Sequence, residues 1–266
     1  MLSRTKRTVW WILATVAIGL LCSAGALAKK PPKPDGDQGI TFSVAPLDPD
    51  NPADARDIND FREVVGSVLT ESGDGSAAYW TIVESNGELV SNLTVLTGGR
   101  AAHGINNFGE IVGTSDDSSG NFVAVYWPNS SSSAMELPLL SGHDNSYAGS
   151  ISGDGLICGY VSKNLLDENG DPIPGSNDVT SERAVIWRVV STNETPVNRG
   201  PFELPSDGDN SFSAAHALND NDESGVAQVV GYRRSAVAEE GGAFLWEVKS
   251  HSDGTVSILT VPDGNG

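Results

Sequence analysis

Histidine side chains are the first candidates for chemistry in this sequence, because imidazole binds metals and exchanges protons near neutral pH. His103 and His216 occupy equivalent positions in a repeated phrase, where Arg56 and Gly149 stand in the other copies. Two such imidazoles could share a metal ion, or they could be polar residues at the start of a strand. No H-E-x-x-H pattern and no paired cysteines accompany them, so the sequence favours the second interpretation.

An acidic loop offers a second kind of site. Asp167, Asn169 and Asp171 place oxygen ligands at alternate positions, as calcium-binding loops do. Pro172 follows at once, and the glycine and the later bidentate glutamate of such a loop are missing. The segment therefore predicts at most a weak calcium site, with 207–209 and 220–223 as equally weak alternatives. No other cofactor is expected.

Catalytic residues are not recognisable in the chain. There is no G-x-S-x-G elbow that would present a serine nucleophile. A glycosidase needs two facing carboxyl groups, but a pair cannot be chosen from 35 acidic residues without geometry. We therefore expect no enzyme, and the alternative is a carbohydrate-active hydrolase.

The charge of the chain limits its partners. Lysine and arginine number 16 against 35 acidic residues, and the formal net charge is −19. Nucleic-acid binding depends on basic side chains that replace counterions, and anionic membranes repel an acidic surface. The sequence therefore predicts neither nucleic-acid binding nor strong binding to anionic membranes, and leaves an extracellular glycan or protein as the partner.

The first 28 residues have the pattern of a secretory signal peptide. Arg4, Lys6 and Arg7 precede an apolar run from 9 to 21, and Ala26-Leu27-Ala28 ends it. Cleavage after Ala28 is expected, with an uncleaved anchor as the alternative. A linker rich in proline and lysine follows at 29–39. These features indicate a protein that is exported to the cell envelope or the extracellular space.

One cysteine, Cys158, remains after the predicted cleavage, so the fold has no internal disulfide. Its neighbours Leu156, Ile157 and Gly159 indicate a buried structural thiol. An exported domain without a disulfide must be stabilised by hydrophobic packing.

Residues 40–266 contain a repeat with four copies, at about 50–98, 99–142, 143–206 and 207–262. Ile58 and Ile105 begin equivalent phrases 47 residues apart, and Gly66 and Gly113 end the second phrase of each copy. Every copy has a tryptophan at the end of its third phrase: Trp80, Trp127, Trp187 and Trp246. Sugar stacking would use only some copies, so recurrence of the tryptophan indicates packing between units.

Each copy predicts four short strands, because β-branched and aromatic runs alternate with Asn, Asp, Gly and Ser. Prolines in the fourth run place that strand at a sheet edge. We therefore predict an all-β, propeller-like domain with four four-stranded units, with an open array or a β-solenoid as the rival. The segment 40–46 resembles a fourth strand and could close a ring by pairing with the last unit.

The phrases Gly104-Ile105-Asn106 and Glu110-Ile111-Val112-Gly113, with the aromatic ending at Trp127, resemble the bacterial extracellular HAF repeat. The resemblance covers nearly all of residues 50–262. It implies export and an envelope setting, and no particular reaction. The His-Ala-Phe triplet that names the family is incomplete here, since Gly242 precedes Ala243-Phe244 and the other copies have Ser76, Val123 and Arg183.

The third copy contains the longest insertion, because Ile151 and Trp187 are 36 residues apart where the first two copies have 22. Loops tolerate insertions without disturbing a sheet, and they often carry binding residues. The segment 162–181 is therefore predicted either to face a ligand or to be a tolerated loop without function.

Overall fold

The computed structural model describes residues 45–49, 51–70, 75–167, 179–192, 195–206, 211–235 and 241–259. These residues form sixteen strands in four sheets, and each sheet is antiparallel with four strands in chain order. The described residues contain no helix that could span a bilayer. The prediction of an all-β, propeller-like repeat is therefore confirmed. The predicted leader and linker lie outside the described residues.

Each sheet uses one copy of the repeat. Sheet 1 comprises β1 (Ala53–Ile58), β2 (Glu63–Leu69), β3 (Gly75–Ser85) and β4 (Glu88–Val95). Sheet 2 comprises β5 (Ala101–Ile105), β6 (Ile111–Asp116), β7 (Phe122–Trp127) and β8 (Met135–Glu136). Sheet 3 comprises β9 (Asn145–Ile151), β10 (Leu156–Asn164), β11 (Val179–Thr192) and β12 (Thr195–Glu203). Sheet 4 comprises β13 (Ser211–Leu218), β14 (Val226–Ser235), β15 (Gly241–Ser250) and β16 (Val256–Leu259).

The first strands of the four units lie on the inside of the array. β1, β5, β9 and β13 contact one another in sequence, while the fourth strands form the opposite sheet edges. This order agrees with the prolines in the fourth phrases, because an outer edge needs no further backbone donor. Residues that meet near the common axis therefore come mainly from first strands.

Every sheet has two apolar faces, because neighbouring side chains on a strand point in opposite directions. We call the face with the repeat tryptophan the Trp face. The other is the Ala face, after the alanine three residues before each tryptophan, Ala77, Ala124, Ala184 or Ala243. The Ala face of each of the first three sheets packs against the Trp face of the following sheet, in three buried clusters.

Three tryptophans also tie consecutive units together by hydrogen bonds. The indole nitrogens of Trp127, Trp187 and Trp246 donate to the carbonyl oxygens of Thr97, Pro138 and Pro205, at 2.7–3.0 Å. Each acceptor follows the fourth strand of the preceding unit. The recurring tryptophan thus packs between units, as the sequence predicted, and satisfies its polar atom there.

The ring closure proposed for residues 40–46 stays a prediction, because only residues 45 and 46 of that segment are described. Leu47 packs on the Trp face of sheet 1, beside Val64 and Trp80, and its carbonyl oxygen accepts a hydrogen bond from Ser91 at 2.6 Å. Residues 40–44 lie outside the described residues. The described apolar clusters join sheets 1 and 2, 2 and 3, and 3 and 4, and none of them joins sheet 4 to sheet 1.

Candidate functional site

A bulge in each first strand leaves one residue outside the regular ladder. The pairing register shifts by one residue at Arg56, His103, Gly149 and His216. These are the four equivalent positions that the sequence singled out. An extra residue of this kind is unpaired and points its side chain in a new direction.

The glycine at the end of the second phrase makes the bulge possible. A Cβ added at this position would overlap the carbonyl oxygen of the first strand in all four units. The glycines are Gly66, Gly113, Gly159 and Gly231, and the carbonyl groups are those of Asp54, Ala101, Tyr147 and Ala214. Only a residue without a side chain lets the bulged backbone come so close.

A cleft of about 300 Å³ opens at the inner ends of the first three units. Two of the bulged residues, Arg56 and His103, line it. Its size lies at the lower end of the range for small-molecule sites. The remaining walls mix rings, hydroxyls, amides and charged groups, namely Arg100, Ala101, Thr114, Phe122, Asn145, Ser146, Tyr147, Tyr160, Ser162 and Glu182.

His103 is a neutral imidazole with a fixed tautomer. Its Nδ1 lies 3.1 Å from the carbonyl oxygen of Ala148, and since a carbonyl only accepts, Nδ1 carries the proton. Burial lowers the pKa of His103 to about 3, and the positive charge of Arg56 contributes. Nε2 is therefore left as a hydrogen-bond acceptor rather than a cation at neutral pH.

Three rings form a row along the cleft. The His103 ring lies 4.2 Å from that of Tyr147, and Tyr147 stacks on Tyr160 at 5.1 Å. Burial raises the pKa of Tyr160 to about 12, with the charge of Glu182 adding to it, so its hydroxyl stays protonated. Within the described residues no hydrogen bond ties this hydroxyl down. The row thus lines the cleft with rings that stack on one another and places a polar hydroxyl group at its end.

Glu182 is the one carboxylic acid among the described residues that line the cleft. Burial raises its pKa, although the hydrogen bond from the Tyr232 hydroxyl and the nearby Arg234 and His216 work in the opposite direction. Tyr232 belongs to the fourth unit, so this bond connects the last unit to the cleft. His216 lies beside the same tyrosine, with ring centroids 5.5 Å apart.

The two arginines of the cleft already have carboxylate partners. Arg56 pairs with Asp54 at 2.8 Å, and Arg100 pairs with Asp116 at 3.2 Å. Arg100 also lies over the ring of Phe122, 5.4 Å from its centroid. The guanidinium groups therefore contribute donors and flat surfaces more than net positive charge.

Buried amides hold one wall in place. Asn145 donates to Asn164 at 2.7 Å, and Asn164 donates to Asn121 at 2.9 Å. The oxygen of Asn145 accepts the backbone N–H of Phe122 at 3.1 Å. A buried network whose members have partners fixes side-chain positions, so the cleft is formed before any ligand arrives.

The sites predicted from the sequence lie elsewhere. Asp167 is exposed beyond the end of β10, while Asn169 and Asp171 lie outside the described residues. Asp220 accepts the backbone N–H of Gly153 at 2.6 Å, and Asp222 accepts that of Val226 at 3.0 Å. The described residues contain no group of three or more His, Cys, Asp or Glu placed to hold a metal. The calcium site stays a prediction.

The remaining predictions fall near or inside the units. His103 and His216 belong to the second and fourth units, with Gly149 of the third between them. Cys158 is fully buried, and burial raises the pKa of its thiol to about 12, as expected for a structural cysteine. The insertion joins β10 to β11, and two residues at its base, Ser162 and Glu182, line the cleft.

The sequence did not reveal the cleft. It singled out the equivalent positions of Arg56 and His103, and the phrase glycine was the signal that a bulge lies opposite. Tyr160 follows the phrase glycine of unit 3 as Tyr232 follows that of unit 4, whereas Tyr147 and Glu182 have no residue of the same type at the equivalent positions of the other copies, so no pattern marked the cleft as a whole.

No protein-family model, curated protein or solved structure matches this chain significantly.

Proposed function

We propose that this chain is an exported binding protein, related to the HAF repeat proteins, and that the cleft binds a small neutral glycan. The composition of the cleft carries the proposal. Tyr147 and Arg100 cover one ring face of Tyr160 and of Phe122, and the other face of each ring can stack on the apolar face of a sugar. Hydroxyl, amide and guanidinium groups around them supply directed donors and acceptors, as small-molecule sites require.

The electrostatics favour a neutral ligand. Arg56 and Arg100 already pair with Asp54 and Asp116, and His103 is uncharged at neutral pH because burial lowers its pKa. An anionic ligand would have to compete with these carboxylates in a protein of net charge −19. Polyhydroxylated ligands need no such exchange of charge.

The alternative hydrolase finds less support in this cleft. Retaining and inverting mechanisms both use two carboxyl groups that flank the scissile bond. Of the described residues that line the cleft, Glu182 alone provides a carboxyl group. A hydrolase would need its second acid from outside this lining.

The test uses protein recovered from the medium or the envelope fraction, whose first residue should be Lys29 by mass spectrometry. On a glycan array we expect binding to neutral sugars. Tyr160→Ala should weaken the affinity at least tenfold, about 1.4 kcal/mol. The matched control is Tyr126→Phe, which alters a buried tyrosine outside the cleft lining and should leave affinity unchanged.

Two results would contradict the proposal. Binding that is absent from the array, or that Tyr160→Ala leaves unaltered, would remove the cleft as a glycan site. A panel of glycosidase substrates run in parallel tests the alternative. Turnover that Glu182→Gln abolishes would make this protein an enzyme.

A further inference from the structure

The two ends of the array expose apolar faces that every internal unit buries. In the first three sheets, the residue before the phrase glycine, the residue before the tryptophan and the repeat alanine are all at most 8% exposed. In sheet 4 the equivalent residues Val230 and Leu245 are 46% and 38% exposed, and Ala243 is exposed as well. The Ala face of sheet 4 therefore lacks the cover that a following unit provides.

The Trp face of sheet 1 is open along its inner strand, although its centre, with Val64 and Trp80, is buried. Ile58 is 60% exposed, whereas its equivalents Ile105 and Ile151 are each 6% exposed against the preceding unit. Leu93, which lies opposite Trp80 on this face, is also exposed. Leu47 covers the outer part of the face, beside Val64 and Trp80, and leaves the inner strand open.

Trp80 differs from the other repeat tryptophans in its hydrogen bonding. Its indole nitrogen is buried, and the described residues offer it no acceptor. In the next three units, the acceptor is a carbonyl group that follows the fourth strand of the preceding unit. A buried donor without a partner is costly, so sheet 1 lacks, among the described residues, the acceptor that a preceding unit provides to Trp127, Trp187 and Trp246.

We propose that a second copy of this chain docks its sheet 4 onto sheet 1, Ala face against Trp face. The contact continues the interface that already joins sheets 1 and 2, 2 and 3, and 3 and 4. Because the two surfaces differ, the association is head to tail. Two copies can close on each other in this way, or more copies can add in series.

The experiment exploits the difference between the two surfaces. Leu245→Glu places a charge on the Ala face of sheet 4, and Ile58→Glu places one on the Trp face of sheet 1. Both side chains are exposed, so the fold should survive, which near-ultraviolet circular dichroism would verify. Val83→Glu is the matched control, since Val83 is 46% exposed and lies on neither surface.

Sedimentation velocity at up to about 100 μM, a range that detects weak specific contacts, gives the readout. Wild type and Val83→Glu should associate, and each of the two face variants alone should be monomeric. An equimolar mixture of the two face variants should form a dimer and nothing larger, because each retains one intact surface. A monomeric wild type, or a mixture that stays monomeric, would overturn the proposal.

Discussion

The first two units and the last two units solve the same structural problem in different ways. The turn between the first and second strands leaves polar groups near the axis that need partners. In units 1 and 2 an asparagine, a glutamate and a tyrosine satisfy one another inside the repeat. In units 3 and 4 one carboxylate, Asp154, joins residues from both units.

Asn106 shows how complete the first solution is. Its side-chain nitrogen donates to Glu110 at 2.6 Å and to the carbonyl oxygen of Ser152 at 3.0 Å. Its oxygen accepts the backbone N–H groups of Phe108 and Glu110, both at 3.0 Å. Tyr126 completes the set by donating to Glu110 at 2.6 Å. Asn59 makes the same four bonds in unit 1.

The second solution relies on an ion pair between Asp154 and Arg188, and it leaves some buried polar atoms without hydrogen-bond partners. Asp154 accepts hydrogen bonds from Arg188, Ser250 at 2.8 Å and Asn221 at 2.6 Å. Nε of Arg188 and Oδ1 of Asn221 are buried without partners among the described residues. Unit 4 thus shares one carboxylate with unit 3, whereas the asparagine, glutamate and tyrosine of each early unit bond to one another, and the asparagine makes one further bond to a carbonyl group of the next unit. In unit 3 the equivalent positions hold Ser152, Leu156 and Ile186, so the early network is lost through replacement of its residues.

The largest loss of stability is expected at the phrase glycines, whose surroundings are the same in the first two and the last two units. Gly113→Ala and Gly231→Ala would each force a Cβ into a carbonyl oxygen of the bulged strand. Each should lower the free energy of unfolding by more than about 3 kcal/mol, measured by urea denaturation. Gly242→Ala, which meets no atom within 4 Å, is the control. Unequal losses at Gly113 and Gly231 would show that the bulge matters differently in the two halves.

Asp154→Asn should disrupt the hydrogen bonds by which Asp154 joins units 3 and 4. It leaves Arg188, whose side chain is only 11% exposed, without its counter-charge, at a cost of about 3 kcal/mol. Glu110→Gln in unit 2 keeps an acceptor for Tyr126 and should cost about 1 kcal/mol. Denaturation curves for the two variants test the contrast. Equal losses would contradict the distinction between the halves.

The same carboxylate predicts a pH dependence. Burial alone would raise the pKa of Asp154, but hydrogen bonds from Ser152 and Ser250 and the charge of Arg188 hold it below its usual value. The stabilisation is therefore present above the pKa of an unfolded aspartate, about 4, and is lost as pH falls through the lower folded value. Asp154→Asn should flatten this acid limb of the unfolding free energy.

The smallest effect concerns the early network. Tyr126→Phe removes the hydroxyl that donates to Glu110 and should cost about 1 kcal/mol. Tyr126→Ile combined with Glu110→Leu and Asn106→Ser copies Ile186, Leu156 and Ser152 from unit 3 and should recover most of that loss, because the polar partners are removed together. Thermal unfolding of the single and triple variants measures the difference. A triple variant less stable than Tyr126→Phe would argue against interchangeable solutions.

The strands and the packing of the tryptophans were predictable from the sequence, because they depend on short-range patterns that recur. The phrase around Gly113 and Trp127 fixes two strands and one interface in every copy. The cleft was not predictable, because its lining comes from three units, and Tyr147 and Glu182 have no residue of the same type at the equivalent positions of the other copies. The sequence also did not indicate that Leu47, which follows the segment 40–46, packs on sheet 1.

The bulge also bears on how such a protein diversifies after its units have been duplicated. A bulged residue has no partner on the neighbouring strand. A substitution there therefore changes the side chains near the common axis and leaves the paired residues of the sheets unchanged. Copies that began with the same residue at the bulge can diverge one at a time. The position now holds Arg56, His103 and His216 in three of the units. At Gly149 the carbonyl oxygen of His216 would lie 2.9 Å from an added Cβ. The bulge of the fourth unit therefore limits which residues the third unit can accept at this position.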